Sequence, residues 1–124
     1  MESVRVARVA TVDAKGVPHN VPVCPVFLNG KIYFATEKKA KKLRNISANP
    51  NVTMVFDEYT EAWDYLRGVM IQGQAKIVRT AEFSAKRKRI YEKYSQYESK
   101  AAIGARDSVI VEVQPDRKFS WGLE

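Results

Sequence analysis

One cysteine, Cys24, and one histidine, His19, are all that this sequence offers of the two residue types that most often carry chemistry. A lone cysteine excludes an internal disulfide framework. With a single histidine beside it, a metal site built from His and Cys is not expected either. Cys24 stands in an apolar, proline-punctuated stretch and reads as a small buried hydrophobe rather than a catalytic thiol. His19 follows Pro18 at a strand start and reads as a surface or edge residue rather than a general base. No apolar run approaches the ~20 residues of a membrane helix. The opening MESVRVARVATVD alternates apolar with polar positions, unlike a secretory leader. A cytoplasmic protein without membrane contact is expected.

Reaction motifs are missing too. There is no G-x-S-x-G elbow, no Walker loop and no dinucleotide-binding glycine pattern. The carboxylates Asp57, Glu58, Glu61 and Asp64 read as surface charges, with nothing to support paired-carboxylate hydrolysis. An enzyme with this inventory holds no self-sufficient reactive set. A bound cofactor would then carry the hard chemistry, and the protein would orient it.

Negative charge is scarce: 14 Asp and Glu face 21 Lys and Arg, for a net charge of +7. An excess of this sign suits an anionic partner such as a phosphate, a nucleotide or a nucleic acid. The excess gathers in Lys38–Arg44 (KKAKKLR) and Lys86–Arg89 (KRKR), both on predicted helices. Two local clusters do not make a continuous nucleic-acid stripe, and the second reads as a solvated helix face. No nucleic-acid partner is expected, although a small oligonucleotide-binding barrel is the competing reading that the charge suggests.

What is present is strand pattern. The 124 residues, 45% of them hydrophobic, suffice for one domain over 1–124 whose core needs no metal or disulfide. So short a chain is hard pressed to enclose a cofactor alone, and a subunit cleft would supply the missing wall. Residues 4–12 alternate as a strand. Residues 18–28 are extended but carry Pro18, Pro22 and Pro25, each without a backbone donor, so they cannot be paired fully on both sides. Backbone groups left free there would be open to a ligand. Asn29-Gly30 is a hairpin signal leading into 31–36 (KIYFAT). A helix is predicted over 37–48, with Thr36 as N-cap and Asn49-Pro50-Asn51 as its stop. Strands follow at 52–57 and 66–79, separated by an aromatic loop at 58–65. A second helix spans 81–99, with Phe83, Ile90, Tyr94 and Tyr97 near one face. Strands at 108–114 and 117–122 flank a turn at Pro115-Asp116. The order predicts a mainly β fold with two or three helices, its antiparallel sheet closed into a barrel to remove exposed edges.

The stretch Ala35-Thr36-Glu37-Lys38-Lys39-Ala40-Lys41-Lys42 runs from a strand end into a basic helix. Free amides and the positive dipole end attract anions there, so Thr36, Lys41 and Lys42 could clamp a phosphate monoester. A solvated basic face is an equal reading.

Taken in order, Arg8-Val9-Ala10-Thr11-Val12-Asp13, Gly16-Val17-Pro18, Val21 to Phe27, Ile32-Tyr33-Phe34-Ala35-Thr36, Lys41-Lys42-Leu43-Arg44-Asn45-Ile46 and Asn49-Pro50 resemble the flavin-binding split barrels of the pyridoxamine 5'-phosphate oxidase superfamily. Leu66 to Ala75 resembles that family's long central strand, so the likeness covers nearly the whole chain. It implies a six-stranded antiparallel Greek-key split β-barrel and a homodimer with FMN at the subunit interface. By position it implies that Val21, Pro22, Val23, Cys24, Pro25 and Val26 run along the flavin and its ribityl chain. Ala35 and Thr36 would approach the ribityl phosphate, and Lys41 and Lys42 would hold it. Gly68 falls where the family often has a glutamine reaching the flavin, and offers only backbone. Trp63, on the aromatic loop, is placed for contact with the cofactor edge, whereas Trp121 reads as core or interface packing.

Departures bear on activity. Val26 stands where the oxidase has a basic residue for its substrate phosphate. Residues 91–106 lack the oxidase's Arg-Pro segment, and the sequence stops soon after Trp121-Gly122. The expected activity is therefore a flavin-dependent oxidoreduction of some other small molecule. The alternatives are a deazaflavin (coenzyme F-420) reductase on the same fold or a flavin-binding protein without turnover.

Overall fold

Alternating burial sets the inside of the sheet. In β1 (Ala7–Val12) the residues Ala7, Val9 and Thr11 are buried while Arg8 faces out. In β5 (Asn51–Glu58) Val52, Met54 and Phe56 are buried between more exposed neighbours. The remaining elements are β2 (Pro18–Val23), β3 (Val26–Leu28), β4 (Lys31–Glu37), α1 (Lys41–Ala48), β6 (Arg67–Ile77), α2 (Thr80–Lys93) and β7 (Ser108–Trp121), with a short 3-10 turn at Trp63–Tyr65. This computed structural model describes residues 5–59, 61–94, 103–104 and 106–122.

The strands form one antiparallel sheet in the order β2-β1-β5-β6-β7-β4-β3. The two edges, β2 and β3, are separated in the chain only by Cys24 and Pro25. A flat sheet of seven strands would hold its edges about 29 Å apart. The backbone from Val23 to Val26 reaches about 11 Å at most. The sheet therefore curls until its edges nearly meet, which is a split barrel. Pro22 reaches Met70 of β6 through Arg8 and Val55, whereas Val26 reaches Lys76 through Tyr33 and Glu112. That stagger is what barrel closure demands of tilted strands.

Phe34, Phe56, Met54, Val9, Val111 and Val113 fill the barrel, and Leu43 and Ile46 of α1 pack against the same core. Each such side chain contributes about 1.5–3 kcal/mol by leaving water. On the outside, α2 lays Phe83, Ile90 and Tyr94 over Val26, Tyr33 and Ile110. No helix among the described residues is long and apolar enough to cross a membrane.

Several local expectations change. The extended stretch 18–28 is two strands broken at Cys24-Pro25, and each pairs at an opposite edge of the sheet. The expected turn at Pro115-Asp116 is absent. A register shift between Gln72 and Gly73 lets Pro115 lie opposite Gly73 within a single strand, β7. With one expected strand split and two merged, the sheet has seven strands, where the family resemblance implies six. Helix α1 begins at Lys41, not at 37, and its N-cap is Ala40 without a side-chain cap bond. Thr36 lies inside β4, paired with Val109. Helix α2 ends at Lys93, and Tyr97 lies outside the described residues.

Candidate functional site

The barrel does not close. Edge strand β2 is bonded to β1 alone, and β3 stops where Val26 meets Tyr33. The last four residues of β4, Phe34 to Glu37, are bonded only to β7. A seam therefore runs between β2 and the end of β4, with unladdered backbone on both sides. Val21, Pro22 and Val23 line one side, and Ala35 and Thr36 the other.

Within the seam strand, Val21 and Val23 pack inward on the barrel core while Pro22 is exposed. Cys24 and Val26 pack on the cluster under α2, and Pro25 is fully buried. The Pro25 carbonyl accepts two hydrogen bonds from the end of α2, from the Tyr94 hydroxyl at 2.6 Å and from Lys93 Nζ at 2.8 Å. The crossover between the sheet edges is thus held at its middle.

The link from β4 to α1 is tight. Lys38 N donates to the Asp107 carbonyl at 2.9 Å, and Ala40 N donates to the Glu37 carbonyl at 3.1 Å. Lys41 is exposed and Lys42 half-buried. Burial pushes the Lys42 amino group below its ordinary value, against a smaller upward pull from Glu37. The Val17 backbone amide is the main cause holding the Asp13 carboxylate below its usual range, with help from Lys15 N and the charge of Lys41. Asn45 Nδ2 of α1 donates to Thr11 Oγ1 at 2.9 Å, and both residues are buried. His19 lies directly opposite Thr11 and shares its inner face. Its Nδ1 is shut off from solvent without a hydrogen-bond partner. His19 is thus an edge-strand residue, as expected, but with one nitrogen turned into the protein.

The other two expected residues are elsewhere. Gly68 is the second residue of β6, paired with Asp57 and Trp121, and the Trp121 indole lies over it so closely that a Cβ has no room. Trp63 is 72% exposed. Gly68 lies about 23 Å along β6 from Ala75, whose amide bonds Pro50 just beyond α1. One chain therefore does not bring Trp63 and Gly68 to Lys41 and Lys42. On that part of the sheet's outer face, Val55 and Met70 are half-buried and Phe119 and Trp121 exposed, beside the exposed pairs Arg8–Asp57 and Arg67–Glu58.

Two cavities border the described sheet. One of about 340 Å³ is lined by Thr11 and by Pro18 at the start of β2, and by Thr53, Gln72, Gly73 and Arg117 among others. One of about 710 Å³ lies between the β3–β4 turn and α2, against Phe27, Asn29, Lys86 and Arg89. No group of His, Cys, Asp and Glu suited to a metal occurs among the described residues. The clamp on Pro25 and the orphan nitrogen of His19 have no sequence signature, since both depend on residues distant in the chain.

The profile of the pyridoxamine 5'-phosphate oxidase family matches residues 1–122. No curated protein gives a significant match. Among solved structures, a protein of unknown function from Agrobacterium tumefaciens superposes with a TM-score of 0.86 at 14% identity, covering 98% of this chain. The chain spans 52% of that protein's length. The heme storage protein HutZ from Vibrio cholerae gives a TM-score of 0.80 at 19% identity, over 94% of this chain and 86% of its own. A FAD-binding protein from Mesorhizobium loti gives 0.79 at 20% identity, over 96% and 86%. At these identities the likeness is one of fold.

Proposed function

The chain belongs to the pyridoxamine 5'-phosphate oxidase family, and on that footing we propose that it binds FMN along the barrel seam and acts as a flavin-dependent oxidoreductase on a small molecule. The observation that carries this reading is the seam itself: two unladdered strand edges that lead to a pair of lysines at the start of α1. The donor set fits the group. The edges of Val21 to Val26 and of Ala35 and Thr36 offer backbone donors and acceptors to polar atoms of the ring and ribityl chain. Lys41 and Lys42 neutralise the phosphate, and an anion beside Lys42 relieves the burial of its charge. Pro22 lacks a donor, so adjacent strands cannot extend the sheet there and the edge stays open to a ligand. Tyr94 and Lys93 keep the crossover in place under that ligand. FMN, when bound, supplies the redox chemistry.

A homodimer completes the site in this reading. Trp63 and Gly68, remote from the lysines of their own chain, serve the cofactor of the second subunit. The outer face with Val55, Met70, Phe119 and Trp121 supplies an apolar patch for the contact. Val26 offers no charge to a substrate phosphate, so pyridoxamine phosphate is not the proposed substrate. A cytoplasmic location without nucleic-acid or membrane partners accompanies the proposal.

The test is the absorbance spectrum of the purified protein, with any released cofactor identified by mass. A yellow protein releasing FMN supports the reading, and Lys42→Ala should then weaken FMN binding about 10-fold or more. Release of the deazaflavin coenzyme F-420, which the +7 charge also suits, assigns a different reductant to the same seam. A Soret band on adding hemin, without flavin uptake, moves the protein toward its heme-storing structural relative. Reduction of bound FMN by a nicotinamide donor, with turnover, separates an enzyme from a flavin carrier. A colourless protein that takes up none of these sinks the proposal.

A further inference from the structure

We propose that His19 is a further ligand of the cofactor phosphate, donating from Nδ1; this rests on the FMN reading above. Buried polar atoms in folded proteins are nearly always hydrogen-bonded, and an exception calls for a cause. His19 Nδ1 is such an exception: it is closed to solvent and lacks a partner. Its surroundings leave little for it within the chain. Thr11, directly across the ladder, already accepts from Asn45 Nδ2. Asp13, the acid at the end of the same hairpin, has its Oδ1 occupied by the amides of Lys15 and Val17.

The position of His19 sets it beside the seam. It lies on the edge strand that forms one side of the seam, two residues before Val21 and on the same inner face. Asn45, which reaches Thr11 beside it, stands one helical turn after Lys42 on a shared face of α1. The imidazole and the half-buried lysine therefore approach the α1 end of the seam from its two sides. A phosphate there accepts from Nδ1–H while the lysines balance its charge, and a hydrogen bond to a charged acceptor is among the stronger kinds.

The test uses the full chain stripped of cofactor, titrated with FMN and with riboflavin, which lacks the phosphate, and read by quenching of flavin fluorescence. His19→Asn sets an amide nitrogen where Nδ1 stood, and His19→Gln sets it near Nε2. We expect His19→Ala and His19→Gln to raise the FMN Kd about 10-fold or more, and His19→Asn to stay within about threefold of wild type. Riboflavin affinity should not change in any variant. Unchanged FMN affinity in the Ala and Gln variants overturns the assignment, as does an equal loss for riboflavin. If His19→Ala fails to fold, the Asn and Gln pair decides alone. Wild-type protein that binds neither flavin overturns the FMN reading and this one with it. Wild-type binding with indifferent variants overturns only the role of His19.

Discussion

Among the described residues, one side-chain hydrogen bond ties α1 to the barrel wall, from Asn45 Nδ2 to Thr11 Oγ1 at 2.9 Å. Thr11 is 0% exposed and Asn45 5%, so neither group can turn to water when its partner is lost. Thr11→Val keeps the shape and strands the Asn45 amide, and Asn45→Leu strands the Thr11 hydroxyl. Each orphaned group costs about 1–3 kcal/mol. The double variant removes both polar groups and should fall well short of the sum, with a coupling of about 1 kcal/mol or more. Urea unfolding of the cofactor-free chain measures this, because a bound ligand would add its own stabilisation. With a slope of about 2 kcal/mol per M, a loss of about 2 kcal/mol lowers the midpoint by about 1 M. Because α1 carries Lys41 and Lys42, the proposed FMN site predicts weaker FMN binding in each single variant as well. Additivity of the two singles within about 0.5 kcal/mol would refute the reasoning.

Three further expectations concern the barrel. Gly73→Ala should cost about 1–3 kcal/mol, because its Cβ meets the Gln114 carbonyl and backbone cannot yield as a side chain does; an unchanged urea midpoint would contradict this. Gly68→Ala should push the Trp121 indole off the sheet, seen as a red-shifted emission in a Trp63→Phe background where Trp121 alone reports. Burial raises the Glu112 carboxyl, but the Tyr33 hydroxyl at 2.9 Å and the Lys31 and Lys76 ammonium groups outweigh it and leave the group below its ordinary 4.5. A depressed folded value means stability that is present above 4.5 and lost as pH falls through the folded value. The gap in urea midpoint between wild type and Glu112→Gln should therefore narrow on acidification below that point, and a constant gap would count against the network.

Local signals in the sequence were reliable where the structure is local. Asn29 and Gly30 take φ of 53° and 77°, the positive pair that a tight hairpin between β3 and β4 demands. The prolines at 18, 22 and 25 marked a stretch that cannot be paired fully on both sides, and β2 and β3 are indeed the two edges. Misreadings arose where a distant partner decides. The run Glu37 to Ala40 suits a helix by composition, yet β4 continues through Glu37 because Thr36 and Glu37 pair with Val109 and Ser108. Pro115 suits a turn, but Gly73 opposite absorbs it through a shift in register. The seam residues were legible in part, because free strand edges follow from the prolines. The remoteness of Gly68 and Trp63 from Lys41 and Lys42 was not, since strand order is invisible in a list of strands.

That strand order has a consequence for synthesis. β7 follows every other described strand in the chain, yet it is inserted between β6 and β4. The end of β4, one wall of the seam, has no other partner among the described residues. A nascent chain can therefore build the β1–β2 and β5–β6 hairpins before β7 has been made but not the seam, and until β7 joins it presents the edges of β6 and β4 to whatever it meets. A ligand of the seam has no finished wall to bind until β7 is in place, so its presence cannot stand in for that strand.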